Sequence, residues 1–174
     1  MARRVQALGL AFILVGIAIA AWGQEKSPSR MADRFNLVMD NSAVLDKETG
    51  LVWEQSPNTG PFTWLNAQIH CNQKTVGGRK GWRLPTIQEL ASLASLVVDP
   101  NKIGIGSVPA GNLPAGHPFS NVQSSQYWSA TTDTRGPGLA RVMNFGSGIV
   151  LLTGIKANAH FVWCVRSGQG VEPQ

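Results

Sequence analysis

Phe161-Val162-Trp163-Cys164-Val165 is the stretch on which the fold turns. All five residues are apolar, so neither alternating face suits water, and a central strand covered on both sides is expected. Cys164 then lies in the interior. The chain holds one other cysteine, Cys71, and the segment around it reads as a helix. Thr63 is placed to cap that helix; Trp64, Ala67 and Cys71 recur at i, i+3 and i+7, and Leu65 and Ile69 widen the apolar face. Cys71 is thereby on the buried side, toward the packed strand.

Whether the two sulfurs pair depends on where the chain ends up. Arg3 and Arg4 precede an uncharged apolar run, Leu8 to Ala21, which has the pattern of a secretory signal peptide. Its 14 residues fall short of the roughly 20 that a membrane-spanning helix needs. Cleavage is expected after Gly23, with Ala20 as the neighbouring alternative and a retained N-terminal anchor as the competing reading. No cysteine lies near either position, which excludes lipoprotein processing. An exported chain with an even cysteine count usually pairs them, so one disulfide is expected between Cys71 and Cys164. The rival readings are a reactive thiol or a metal ligand, but neither cysteine has a CxxC neighbour or a clustered histidine.

Removing residues 1–23 from the 174 leaves 151, enough for one domain with one core. The formal charge of +5 drops to about +3 without Arg3 and Arg4, and no stretch concentrates Lys and Arg as a nucleic-acid footprint would. Residues 24–34 carry almost no large apolar side chain and read as a flexible linker; residues 35–168 form the domain, and 169–174 a disordered tail.

Within the domain, Phe35 to Met39 reads as a strand, and Ala43 to Leu45 and Leu51 to Trp53 as a hairpin across a polar turn ending in Gly50. A second helix opens at Thr86-Ile87-Gln88-Glu89, a capping box in which hydroxyl and carboxylate each satisfy a backbone N–H. Ile87, Leu90, Ala91 and Ala94 form its inward stripe, and it should stop before Asp99-Pro100. From Asp99 to Ser125 come 27 residues punctuated by Pro and Gly without periodicity. Loops longer than about 12–15 residues in compact domains tend to be functional or disordered, so a ligand surface is sought there. Strands follow at Gln126 to Thr132, Ala140 to Phe145, Ile149 to Ile155 and Phe161 to Ser167, with Gly146-Ser147-Gly148 as a hairpin turn.

Five motifs stand in order: Asp46-Lys47-Glu48-Thr49-Gly50-Leu51-Val52-Trp53; Trp64 with Ala67 and Cys71; Gly81-Trp82-Arg83-Leu84-Pro85-Thr86 leading to Glu89-Leu90; Tyr127-Trp128-Ser129-Ala130-Thr131; and Cys164-Val165-Arg166. Together they resemble the Lcl C-terminal domain family, long catalogued as a domain of unknown function, over roughly residues 36 to 167. The resemblance implies an α+β, C-type lectin-like fold: two helices flanking a small antiparallel β-sheet with a long irregular loop. It also implies a bond from the cysteine of the first helix to the final strand, in agreement with the cysteine count. On this reading Trp82 and Leu84 fill core, Arg83 pairs with a carboxylate or backbone carbonyls, and Pro85-Thr86 starts the helix. Trp53, Trp64, Trp128 and Trp163 are likewise expected to be structural, since a sugar-stacking Trp must be exposed.

Calcium-dependent lectins of that fold use Glu-Pro-Asn or Gln-Pro-Asp with Trp-Asn-Asp, to converge several oxygens on the ion. Neither occurs, and Trp128-Ser129-Ala130 lacks a carboxylate, so no metal or cofactor is expected; Asp99, Asn101 and Asp133 are the loop oxygens left to consider. Formylglycine-generating enzymes share the fold and need a reactive cysteine pair, which a Cys71–Cys164 bond would remove. His70, His117 and His160 are scattered, GxSxG is absent, and Gly77-Gly78-Arg79-Lys80-Gly81 lacks Walker spacing. For polyanions the candidates are Arg79, Lys80, Arg135, Arg141 and Lys156, with Arg135 beside the loop face foremost.

The sequence therefore points to an exported, periplasmic or extracellular, non-enzymatic binding module. Largely by analogy with the family it resembles, it is expected to recognise a glycan, polyanion or protein partner through its long loop and adjacent strand ends, with Asp133, Arg135 and Arg141 as binding residues. The alternative is a structural or assembly subunit of a cell-envelope complex, and the minor alternative an enzyme related to formylglycine-generating enzymes. No nucleic-acid partner and no stable membrane span after signal cleavage are expected.

Overall fold

The computed structural model describes residues 33–94, 113, 116–145 and 152–169. The expected signal peptide, most of the linker, the Gly146-Ser147-Gly148 turn, most of the loop from Asp99 and nearly all of the tail lie outside these residues.

The elements run β1 (Phe35–Val38), β2 (Ala43–Asp46), β3 (Leu51–Glu54), β4 (Asn58–Phe62), α1 (Trp64–Gln73), α2 (Ile87–Leu93), β5 (Gln126–Thr132), β6 (Leu139–Asn144), β7 (Leu152–Ile155), β8 (His160–Val162) and β9 (Val165–Ser167). They form a four-stranded sheet in the order β1-β2-β3-β9 and a five-stranded sheet in the order β4-β8-β5-β6-β7. This corrects the expected α+β, C-type lectin-like layout of two helices flanking one small antiparallel sheet. Among the described residues the protein is mostly β, with two sheets and two short helices, and β5 pairs with β8 in parallel at Tyr127 and Phe161.

The reason lies in the apolar run that opened the reading. Phe161 to Val165 does not continue one strand; the chain leaves the five-stranded sheet after Val162, passes through Trp163-Cys164, and enters the four-stranded sheet at Val165. Its side chains still alternate. Trp163 and Val165 pack with Trp53, Leu90, Tyr127 and Phe145, whereas Val162 and Cys164 pack with Val52, Ala67, Cys71, Trp82 and Trp128. The run is apolar on both faces because it lies between two clusters of the core. A further strand, β4, was not legible: it contains Gly60 and Pro61, and its pairing with β8 shifts register between Asn58 and Phe62.

In α2 the capping box forms as expected, with Glu89 N–H donating to Thr86 Oγ1 at 3.2 Å and Thr86 N–H donating to Glu89 Oε2 at 2.7 Å. Ile87, Leu90, Leu93 and Ala94 are buried, and the helix ends at Leu93, well before Asp99. In α1 Thr63 occupies the cap position, but its side chain makes no capping bond. Only Ala67 and Cys71 of this helix are buried; Leu65 and Ile69, expected to widen the inward face, are 62% and 43% exposed. The inward stripe of α1 is thus one i, i+4 pair wide.

The polar motif residues hold the frame. Asp46 accepts bonds from Arg34 Nε (2.8 Å), Arg34 Nη2 (2.6 Å), Thr49 Oγ1 (2.8 Å) and the Glu48 N–H (3.1 Å), which fixes the β2–β3 turn. Arg34, the last residue of the expected linker, is buried and also donates to Ser92 O at 2.7 Å. Arg83 pairs with Glu89 through two bonds of 2.8 and 2.6 Å, as the sequence suggested.

Candidate binding site

Cys71 on α1 and Cys164 in the crossover are joined by a disulfide with Cα atoms 5.5 Å apart, and both are fully buried. The chain has only these two cysteines, so no thiolate is left for nucleophilic or metal chemistry. Beside the bond lies a buried ionic group that sequence reasoning missed. Glu54 accepts the Cys164 N–H at 2.8 Å and pairs with Lys74, while Trp163 Nε1 donates to Glu54 O at 2.9 Å. Burial raises the Glu54 pKa, against the pull of Lys74. Nothing in a lone Glu or Lys marks such a pair in sequence.

Four tryptophans, Trp53, Trp82, Trp128 and Trp163, are fully buried, and Trp64 is half-buried. Trp82, Trp128 and Trp64 donate their indole N–H to Arg79 O, Phe62 O and Ser129 O, each at 2.8 Å. Their role is architectural. Gly154 on β7 shows how tightly this is built: a Cβ there would sit 2.7 Å from the Trp128 ring and 3.0 Å from His160 Nε2. The histidines occupy three separate places. His70 stacks on Phe62, His160 meets the Trp128 ring edge-on, and His117 tilts against Phe119. Burial lowers the pKa of all three, aided at His70 by Lys74.

Asp133, Arg135 and Arg141 are brought together. The Asp133 side chain is fully buried at the end of β5, where Arg135 donates through Nε at 3.0 Å, Nη2 at 2.9 Å and its backbone N–H at 2.9 Å. Arg141 Nε on β6 lies 3.1 Å from the same carboxylate. Thr153 on β7, absent from the sequence-based set, hydrogen-bonds to both Asp133 and Arg135. Bonds from the Arg135 side chain, then from Thr153 and the Arg135 N–H, hold the Asp133 carboxyl far below the usual carboxylate range. The Arg135 side chain is nonetheless 63% exposed, and that of Arg141 30%. Lys156 joins this end of the sheet: its N–H donates to Gly138 O at 2.9 Å, and its Nζ donates to Pro137 O at 2.7 Å while lying 4.1 Å from the Trp64 ring centroid. Asp133 is committed to these partners, and among the described residues no group of three His, Cys, Asp or Glu side chains could hold a metal ion.

The described part of the long loop lies elsewhere. Residues 117–124 border a depression of about 380 Å³ lined by Leu113, His117, Phe119, Asn121, Gln123 and Phe145, together with Val122 and Ser124. This depression opens next to the start of β5, where Phe145 N–H donates to Ser125 O, whereas Asp133 follows the end of the strand. Seven residues of strand separate the two ends by about 20 Å. Arg135 is therefore not beside the described part of the loop, and the two lie at opposite ends of β5. Arg79 and Lys80 are exposed on a further turn.

No helix among the described residues is long and apolar enough to cross a membrane. No curated protein matches the chain. The family model for the Lcl C-terminal domain matches residues 42–166, spanning the hairpin motif, the capped helix, the tryptophan strand and both cysteines, and the chain belongs to that family.

Proposed function

We propose that this is an exported, non-catalytic binding module that recognises anionic groups, sulfate or carboxylate on a glycan or other polyanion, at the turn holding Asp133 and Arg135 and the adjacent Arg141 of β6. The observation that carries the reading is an exposed Arg135 guanidinium anchored from below by a buried carboxylate. Anchoring restricts its rotamers before a ligand arrives, which reduces the entropy lost on binding. Arg135, Arg141 and Lys156 against Asp133 leave a local surplus of positive charge, which favours an anion. The Cys71–Cys164 bond supports export, because such bonds persist in oxidising compartments.

The test is binding to immobilised dextran sulfate with uncharged dextran as control. Retention on the sulfated polymer should fall as salt rises and weaken about fivefold in Arg135→Ala, the size of one screened charge contact. Equal retention of the variant would refute this site.

The second reading, a structural or assembly subunit, is favoured by the outer face of α1. That helix contains no Asp, Glu, Lys or Arg, and it exposes Leu65 and Ile69 beside a shallow groove lined by Phe62, Asn66 and His70. Charge-depleted apolar surface suits the core of an interface. Salt-independent self-association that Leu65→Lys abolishes would favour it.

A further inference from the structure

The depression at the other end of β5 has a chemistry of its own. Among the described residues its lining contains no Asp, Glu, Lys or Arg: the polar groups are the His117 imidazole, the Asn121 and Gln123 amides and the Ser124 hydroxyl, beside Phe119 and Phe145. About 380 Å³ falls within the 300–1,000 Å³ range typical of small-molecule sites.

The rim is held in place. Gln55 Nε2 donates to Pro118 O at 2.8 Å, Ser120 N–H donates to Gln55 O at 2.9 Å, and Asn121 Nδ2 donates to Ser56 Oγ at 2.8 Å. Below it the Gln123 N–H donates to the Tyr127 hydroxyl at 2.7 Å, and Gln123 Nε2 donates to Asn121 O at 3.0 Å. Asn121 itself adopts φ 54°, a left-handed conformation that Asn tolerates and that turns the chain around the rim. The His117 ring tilts against Phe119 at the same rim, with its Nδ1 buried.

We propose that this depression binds a neutral polyhydroxylated ligand, one or two rings of an uncharged sugar, with His117, Asn121 and Gln123 bonding its hydroxyls. Amides and imidazole offer the paired donors and acceptors that adjacent hydroxyls need, and among the described lining residues no charged side chain favours an ionic ligand over them. Phe119 and Phe145, buried in the core beneath, close the bottom of the depression and keep its shape. Preorganisation by Gln55, Ser56 and Tyr127 limits the ordering cost. The site is distinct from the anion-binding turn, and the two can stand or fall separately.

The experiment is NMR titration of the disulfide-bonded protein with cellobiose, maltose, lactose and N,N′-diacetylchitobiose, following the His117 imidazole and the Asn121 and Gln123 side-chain amides. At least one disaccharide should give saturable shifts at millimolar concentration, unchanged in high salt and in Arg135→Ala. His117→Phe, which keeps the ring and removes its nitrogens, should weaken that binding about tenfold. Ser124→Tyr, at an exposed rim position, should block it without touching the core. The proposal is overturned if none of the four sugars shifts these signals at about 50 mM, if the shifts persist in both rim variants, or if Arg135→Ala abolishes them. Loss of dextran sulfate binding with sugar binding intact would remove the anion site alone.

Discussion

Replacing both Cys71 and Cys164 by Ala should make the domain much less stable while leaving its fold recognisable. The bond closes 93 residues of chain, for which the chain-entropy relation gives about 4.7 kcal/mol at 25 °C. Native disulfides deliver about 2–4 kcal/mol in practice. With a urea m-value of about 1.5 kcal/mol/M, the unfolding midpoint should fall by roughly 1.3–2.7 M. The bond sits in the crossover between the sheets, with Trp163 next to it, so tryptophan fluorescence and far-ultraviolet circular dichroism should shift together. A midpoint within about 0.3 M of the parent would refute the reasoning. Reaction of the native parent with a thiol reagent would refute it too.

Thr86→Ala removes the hydroxyl that caps α2 and should cost about 1 kcal/mol, read as a lower melting temperature. Gly154→Ala forces a methyl group against the Trp128 ring and should cost about 1–3 kcal/mol by the same measure. Glu54→Leu leaves the part-buried Lys74 without its carboxylate and strips the buried Cys164 N–H of its acceptor; a loss of about 2–3 kcal/mol is expected, measured by urea unfolding. Asp133 has a depressed folded-state pKa, so its contribution is present above the unfolded value of about 3.9 and is lost as pH falls below it. Asp133→Asn should flatten that acid limb in unfolding curves recorded between pH 2 and 6, leaving the neutral region weakened throughout.

What could be read in advance was local or covalent. The capping box needs only Thr86 and Glu89 three residues apart, and the β2–β3 hairpin only its turn; both formed. The cysteine pair followed from counting. The layering did not follow, because the same apolar alternation in Phe161 to Val165 serves one strand buried in one sheet or a chain passing between two. Leu65 and Ile69 have a buried helix's periodicity, but periodicity cannot say how wide a stripe the neighbouring sheet covers. At the candidate site, Asp133, Arg135 and Arg141 came together because two lie in one turn and the third on the paired strand β6. Thr153 arrives from β7, and no short-range signal connects it to them. The described part of the loop and Arg135 both flank β5 in sequence, yet a strand sends its two ends in opposite directions.

The crossover also governs the order in which the molecule can assemble. Residues 160–167 supply β8, which among the described residues is the only partner of β4 and its link to β5, and β9, which completes the other sheet. Synthesis runs from the N-terminus, so neither sheet is complete until residues 160–167 have been made. A nascent chain interrupted anywhere before that point holds unpaired strands and a lone sulfhydryl at residue 71. Closure of both sheets, and of the disulfide that ties α1 to the crossover, is thereby deferred to a single late segment of the chain.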